Sequence, residues 1–173
     1  MSDLSFTPTA AARAVALAAC IGLTGCAGVM RTMPSPGDPV PTVVAKFGQP
    51  TATFNDAGGQ VLEYAFGPMG QQTWMARFTP DGRLTSFEQV LTGQKFATIK
   101  IDVATKEDVL RILGHPAERT YLALPDLAVW SYRYKENDVW NSMMHVHFNR
   151  AGVVKMMQNG PDPMYEEKRF FRD

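Results

Sequence analysis

Val43-Val44-Ala45-Lys46-Phe47-Gly48-Gln49-Pro50 and Val109-Leu110-Arg111-Ile112-Leu113-Gly114-His115-Pro116 are two versions of one phrase, set 66 residues apart. Apolar residues fall at matching positions, Gly48 matches Gly114, and Pro50 matches Pro116. The correspondence continues downstream. Leu62-Glu63-Tyr64-Ala65-Phe66 matches Trp130-Ser131-Tyr132-Arg133-Tyr134 at an offset of 68, and Trp74-Met75-Ala76-Arg77-Phe78 matches Met144-His145-Val146-His147-Phe148 at an offset of 70. Gly82 and Gly152 close the series in the following turn. An offset that grows only between the matched stretches places the insertions in loops, where they are tolerated. The chain is therefore read as a tandem duplication.

Each copy has a physical reading. Val109, Leu110 and Leu113 fall on one helical face. Thr105-Lys106-Glu107-Asp108 offers an N-cap threonine and acids in the first turn, which oppose the helix dipole. Gly114 is suited to a left-handed C′ position, and Pro116 prevents the helix from resuming. So short a helix must be held by packing. Strands follow. Leu62, Tyr64 and Phe66 alternate with polar or small residues, as do Trp130, Tyr132 and Tyr134. Trp74, Ala76 and Phe78, with Met144, Val146 and Phe148, give the next apolar faces. Thr79-Pro80-Asp81-Gly82-Arg83 and Asn149-Arg150-Ala151-Gly152 read as hairpin turns, and 84–91 and 153–158 as the closing strands. Phe96-Ala97-Thr98-Ile99-Lys100-Ile101 joins the copies, as a strand or as a first short helix. The expected fold is α+β: two tandem units, each a short helix or helix pair on an antiparallel meander. A unit of about 55–60 residues is marginal alone, so the two should pack together.

Composition narrows the function. The chain has 173 residues, 45% hydrophobic and 20% charged, with a formal net charge of zero. Zero net charge argues against a nucleic-acid partner, which needs a surplus of Lys and Arg. The two cysteines, Cys20 and Cys26, both lie near the N-terminus, so the body has no disulfide framework and no thiolate chemistry.

The first thirty residues read as a secretory leader. A lead ending in Arg13 precedes the apolar stretch 14–23 and then Thr24-Gly25-Cys26. That stretch is too short to span a bilayer. Leu23-Thr24-Gly25-Cys26 resembles a bacterial lipobox, in which the cysteine is acylated and the chain is cut just before it. Leu17-Ala18-Ala19-Cys20 also fits, but it would leave only 14–19 as the apolar core, below the usual minimum of about seven residues. Cys26 is therefore the expected lipid attachment site. Ala27 follows it, where an aspartate would suggest inner-membrane retention, so the expected location is the periplasmic face of the outer membrane. The expected organisation is a leader at 1–25, a lipidated flexible tether at 26–41 rich in Pro and Gly, repeats at 42–95 and 96–163, and a charged tail at 164–173 containing Glu166-Glu167.

From Phe96 and Ile99 through Thr105 to Pro116, and from Leu62 to Leu91, the chain resembles the SmpA/OmlA, or BamE-like, outer-membrane lipoproteins in a duplicated form. The lipobox adds to that likeness. It departs from the family where Val103-Ala104 stand in place of the usual Gly-Met before the threonine. The resemblance implies a helix layer on an antiparallel sheet, as in BamE and the tandem β-lactamase inhibitor proteins. It also implies a non-enzymatic role as scaffold or adaptor in outer-membrane assembly or envelope integrity, with a protein partner in the outer membrane or periplasm. The other reading is an inhibitor or ligand-binding lipoprotein acting on a periplasmic enzyme.

No cofactor, metal or catalytic residue is expected. His145 and His147 share one face of a strand at a spacing that could hold a metal, but their repeat counterparts, Met75 and Arg77, mark it as the non-core face. His115 sits at a helix end, where a cation complements the dipole. No serine lies in a nucleophile elbow, and Gly58-Gly59 and Gly67-Pro68-Met69-Gly70 read as loop punctuation. Trp140, in the loop-like stretch Asn137-Asp138-Val139-Trp140-Asn141, has no repeat counterpart. It is either an exposed anchor for a partner or a core or sheet-edge residue. Trp140, His145 and His147 are thus the candidate partner contacts.

Overall fold

The computed structural model describes residues 33–56, 58–66 and 70–166. The leader, Cys20 and Cys26 lie outside them, as do residues 167–173 of the expected tail. Helix α1 (Val40–Phe47) precedes strands β1 (Ala52–Asp56), β2 (Gly59–Ala65), β3 (Thr73–Phe78) and β4 (Leu84–Gln89). After a short helix α2 (Gly93–Phe96), helix α3 (Lys106–Leu113) precedes β5 (Glu118–Leu122), β6 (Leu127–Glu136), β7 (Trp140–Phe148) and β8 (Val154–Pro161), and α4 (Pro163–Glu166) closes the described chain. The strands form two four-stranded antiparallel sheets in the orders β1-β2-β3-β4 and β5-β6-β7-β8. The fold is α+β in a two-unit tandem layout.

The units correspond in register. Leu62 pairs with Ala76 as Trp130 pairs with Val146, and both sheets carry an irregularity at the same step, between Arg77 and Phe78 and between His147 and Phe148. Outside the strands, Pro39 bridges to Arg83 as Thr105 bridges to Val153. Gly48 (φ 87°, ψ −167°) and Gly114 (φ 79°, ψ −163°) end their helices in nearly the same conformation. That conformation is not the left-handed helical one expected of a C′ glycine. Its ψ is extended, in a region open essentially to glycine alone, so the chain leaves the helix directly towards the next strand.

The structure corrects several sequence expectations. Each meander has four strands where hydrophobic alternation gave three, because β1 and β5 lie at sheet edges and β5 is exposed along its whole length. With no buried face, β5 shows no period-2 pattern to read. The joining segment is helix and turn: α2 is capped by the Thr92 hydroxyl, which accepts from the Lys95 amide. Residues 37–41, expected in a flexible tether, belong to the folded part. The Gly37 amide donates to the Leu84 carbonyl at 2.8 Å, Leu84 N–H donates to Asp38, and Lys46 pairs with Asp38 at 2.8 Å. At the other end, α4 includes residues assigned to the charged tail.

Two cores result. Val43 of α1 packs with Leu62, Tyr64, Ala76, Phe78 and Leu84 on one face of the first sheet. Phe47 and Phe87 meet edge to face at 4.5 Å above it. The larger core joins Val109 and Leu113 of α3, Trp130, Tyr132, Val146 and Phe148 of the second sheet, and Val61 and Met75 from the opposite face of the first. Helix α3 is therefore shared by both sheets, and the first sheet is buried on both faces. That corrects the one-sided alternation read from Leu62, Tyr64 and Phe66: Glu63, expected outward, is 1% exposed, and Phe66 is exposed. Full burial of side chains such as Val61 and Met75 contributes about 1.5–3 kcal/mol each, enough to hold together two units that are marginal apart.

Candidate functional site

Three places carry side chains with functional potential. The first is the join between the units. The last turn of α3 presents its carbonyls to the first sheet, and Arg77 Nη2 donates to the Arg111 carbonyl at 2.6 Å. Glu63, buried in β2, accepts the His115 amide on Oε1 at 3.1 Å, while its Oε2 lies 2.8 Å from His115 Nδ1. From the second sheet, the Tyr132 hydroxyl donates to the Gly114 carbonyl at 3.1 Å, and burial pushes its pKa above the ordinary phenol value. His115 therefore serves a buried carboxylate, and its ring also stacks on Phe54 at 5.7 Å. A cleft of about 330 Å³ opens beside this join, lined by Thr51, Thr73, His115, Pro116, Tyr132 and Arg133 among others. Arg133 is held at its edge by Asp162, Nε to Oδ2 at 3.1 Å, and by Glu118.

The second place is the outer face of the second sheet, where β7 sets His145 and His147 on one side, two residues apart. The Ser131 hydroxyl lies 2.8 Å from His145 Nδ1. His147 is 4% exposed, and burial, with His145 adding, pushes its pKa below the ordinary imidazole value, while Gln158 opposes the shift. Among the described residues no group of three or more His, Cys, Asp or Glu is placed to hold a metal ion. A buried His147 presents no surface to a partner.

The third place is the far end of the same sheet. Trp140 begins β7 and does not lie in a loop. Its pairing with Glu136 closes a tight hairpin in which Asn137 (φ 50°) and Asp138 (φ 60°) take left-handed conformations. Asn and Asp tolerate these better than most residues. Trp140 is 64% exposed, with Val139 at 63% and Tyr165 of α4 at 39%. A shallow recess of about 230 Å³ between Trp140, Pro161, Asp162 and Tyr165 adjoins it. By the alternation of β7, Trp140 points to the face opposite His145 and His147, so the three candidate contacts form no single site.

Sequence reasoning missed Glu63, Tyr132 and Arg133 as site residues. Glu63 and Arg133 each follow a core residue in an alternating strand, where a charged side chain reads as solvent-facing. A second layer over the first sheet buries Glu63, and Asp162 and Glu118 engage the buried Arg133.

No known protein family matches the chain, and no curated relative matches it. Among solved structures, it is similar to a DUF4309 family protein (YjgB) from Bacillus subtilis at 16% identity, covering 72% of this chain and 79% of that one, with a TM-score of 0.32. A score that low carries no argument about function.

Proposed function

We propose that the chain is an outer-membrane lipoprotein, acylated at Cys26 on the periplasmic side, and that its two BamE-like units act as a non-enzymatic scaffold or adaptor in outer-membrane assembly or envelope integrity. The observation that carries the adaptor reading is the exposed Val139–Trp140–Tyr165 surface. Aromatic side chains beside a shallow recess are the usual anchors of protein interfaces. The free edges of β1 and β5 offer strand addition as a second mode of contact. A lipid tether raises the local concentration of such a surface and favours weak, multiple contacts.

The test is photo-crosslinking in living cells from position 140, with positions 145 and 147 as comparison. A discrete envelope-protein adduct from 140, lost when Cys26→Ser leaves the chain untethered, is expected. No protein adduct from 140, together with full function of Cys26→Ser, would end the proposal. The inter-unit cleft favours one further reading, a ligand-binding lipoprotein acting on a periplasmic enzyme. Capture of one soluble enzyme that is released by His115→Ala, and unaffected by Trp140→Ala, would select it.

A further inference from the structure

The end of the second sheet opposite Trp140 carries a different kind of surface. The β5–β6 hairpin projects Leu124, 96% exposed, with Tyr121 at 59% and Leu122 at 41%. Scattered apolar residues on a surface mean little, but these three share one convex tip. Cations flank it. Arg150, in the adjacent β7–β8 turn, is 86% exposed and pairs with Asp126 at 2.5 Å. Arg119 leaves β5 and lies over the Trp130 ring at 5.2 Å. Asp126, the only acid in the loop, is engaged by both Arg150 and the Tyr121 hydroxyl.

From this geometry we infer that the β5–β6 tip is a membrane-contact element: Leu124 and Leu122 enter the acyl boundary of a phospholipid surface, Tyr121 sits at headgroup level, and Arg119 and Arg150 meet the phosphates. The partner is identified by chemistry. A protruding aliphatic tip needs a yielding apolar phase or a matching pocket to cover it. The pairing of that tip with arginines and an amphipathic tyrosine matches the layered polarity of a bilayer interface. Arginine forks suit phosphate oxygens. The inference leans on the proposed tether for keeping the tip close to a membrane, which turns a weak contact into a frequent one.

The test uses the full chain with Cys20→Ser and Cys26→Ser, so that Leu124→Cys carries the only thiol and no lipid is attached. An environment-sensitive dye is placed there, and in a second sample at Asn137→Cys on the far hairpin. Both meet phosphatidylcholine vesicles with and without phosphatidylserine. The apolar stretch 14–23 can itself hold the chain at a vesicle, so the readout is the dye and not flotation. The dye at 124 should shift to the blue and be quenched by spin-labelled lipid, while the dye at 137 should not. Charge reversal at both arginines, Arg119→Glu with Arg150→Glu, should raise the anionic lipid needed by about tenfold or more. Because Arg119 lies on Trp130, the label is also read in a chain with Arg150→Gln alone, which removes the charge while its amide can still meet Asp126. An unchanged dye at 124 under saturating lipid, or equal shifts at 124 and 137, would overturn the inference. Failure of the Cys26 reading shows separately, as a missing acyl mass on the mature protein, and leaves the dye result standing.

Discussion

The two units share a register and a helix ending, yet their helices live in different surroundings. Helix α1 covers one sheet, and α3 is gripped by two. A Cβ added at Gly48 would meet nothing within 4 Å, whereas one added at Gly114 would lie 2.8 Å from the Glu63 carboxyl carbon and 3.0 Å from Met75 Cε. The local phrase is the same, and so is its backbone. The difference comes from order in the chain: the first sheet has a following unit to cover its second face, and that face supplies Glu63, Met75 and Arg77. A duplicated module can thus keep its local structure while one copy acquires new contacts, and with them new constraints.

Met75 and His145 occupy equivalent positions on the outer faces of β3 and β7, and they offer the sharpest way to break the comparison. Met75 is fully buried beneath α3, so Met75→Ala should cost about 2–5 kcal/mol through the cavity it leaves. His145 is only half-buried, and His145→Ala should stay near 1 kcal/mol or below, the scale of one lost hydrogen bond to Ser131. Urea denaturation of the two variants checks the ratio. Equal costs would mean that the two outer faces are covered alike.

The glycines sharpen the same point. Gly48→Ala should cost about 1–3 kcal/mol from backbone strain alone. Gly114→Ala should exceed it, since the Glu63 carboxylate must also move. Paired with Glu63→Ala, Gly114→Ala should be non-additive, while Gly48→Ala with Glu63→Ala should add. Thermal or urea unfolding of the single and double variants decides it.

The smallest expected effect lies at the helix starts. Helix α1 follows Pro39 with no side-chain cap, whereas α3 has a full capping box in which Thr105 accepts from the Asp108 amide and Asp108 accepts from Thr105. Thr105→Ala should therefore cost about 1 kcal/mol. The backbone amide and then the hydroxyl of Thr105 hold the Asp108 carboxyl below its ordinary range. A lowered carboxyl pKa contributes stability that is present above the unfolded value, about 3.9, and is lost as pH falls through the folded one. The stability gap between the native chain and Asp108→Asn should accordingly be present at neutral pH and close in acid. A gap that widened in acid would reverse the assignment.

Much of the fold was legible because repetition and patterning are local signals. Thr105, Gly114 and Pro116 marked the ends of α3, and the matched offsets set β2 beside β6 and β3 beside β7 as equivalent strands. What escaped has a common cause. Gly59 read as loop punctuation, but it sits in β2 at φ 124°, where a Cβ would fall 2.1 Å from the Phe78 carbonyl oxygen, so its constraint comes from a neighbouring strand. Glu63 read as an outward residue, and its burial comes from a helix that begins more than forty residues later. Trp140 read as part of a loop, because Asn137 and Asp138 were not seen as the left-handed turn of a three-residue hairpin loop after which pairing resumes at Trp140.

Short-range pattern carried the duplication, the capping box of α3, the glycine-dependent helix endings and one core face of each sheet, since these depend on side-chain periodicity and backbone sterics within a few residues. Packing between distant segments is what buries the first sheet on both faces, brings Glu63 and His115 together, encloses His147 while leaving Trp140 open, and leaves Leu124 at an uncovered tip. Those outcomes depend on which surfaces meet across distant segments, and burial of that kind leaves no period in the chain for a reader of sequence to find.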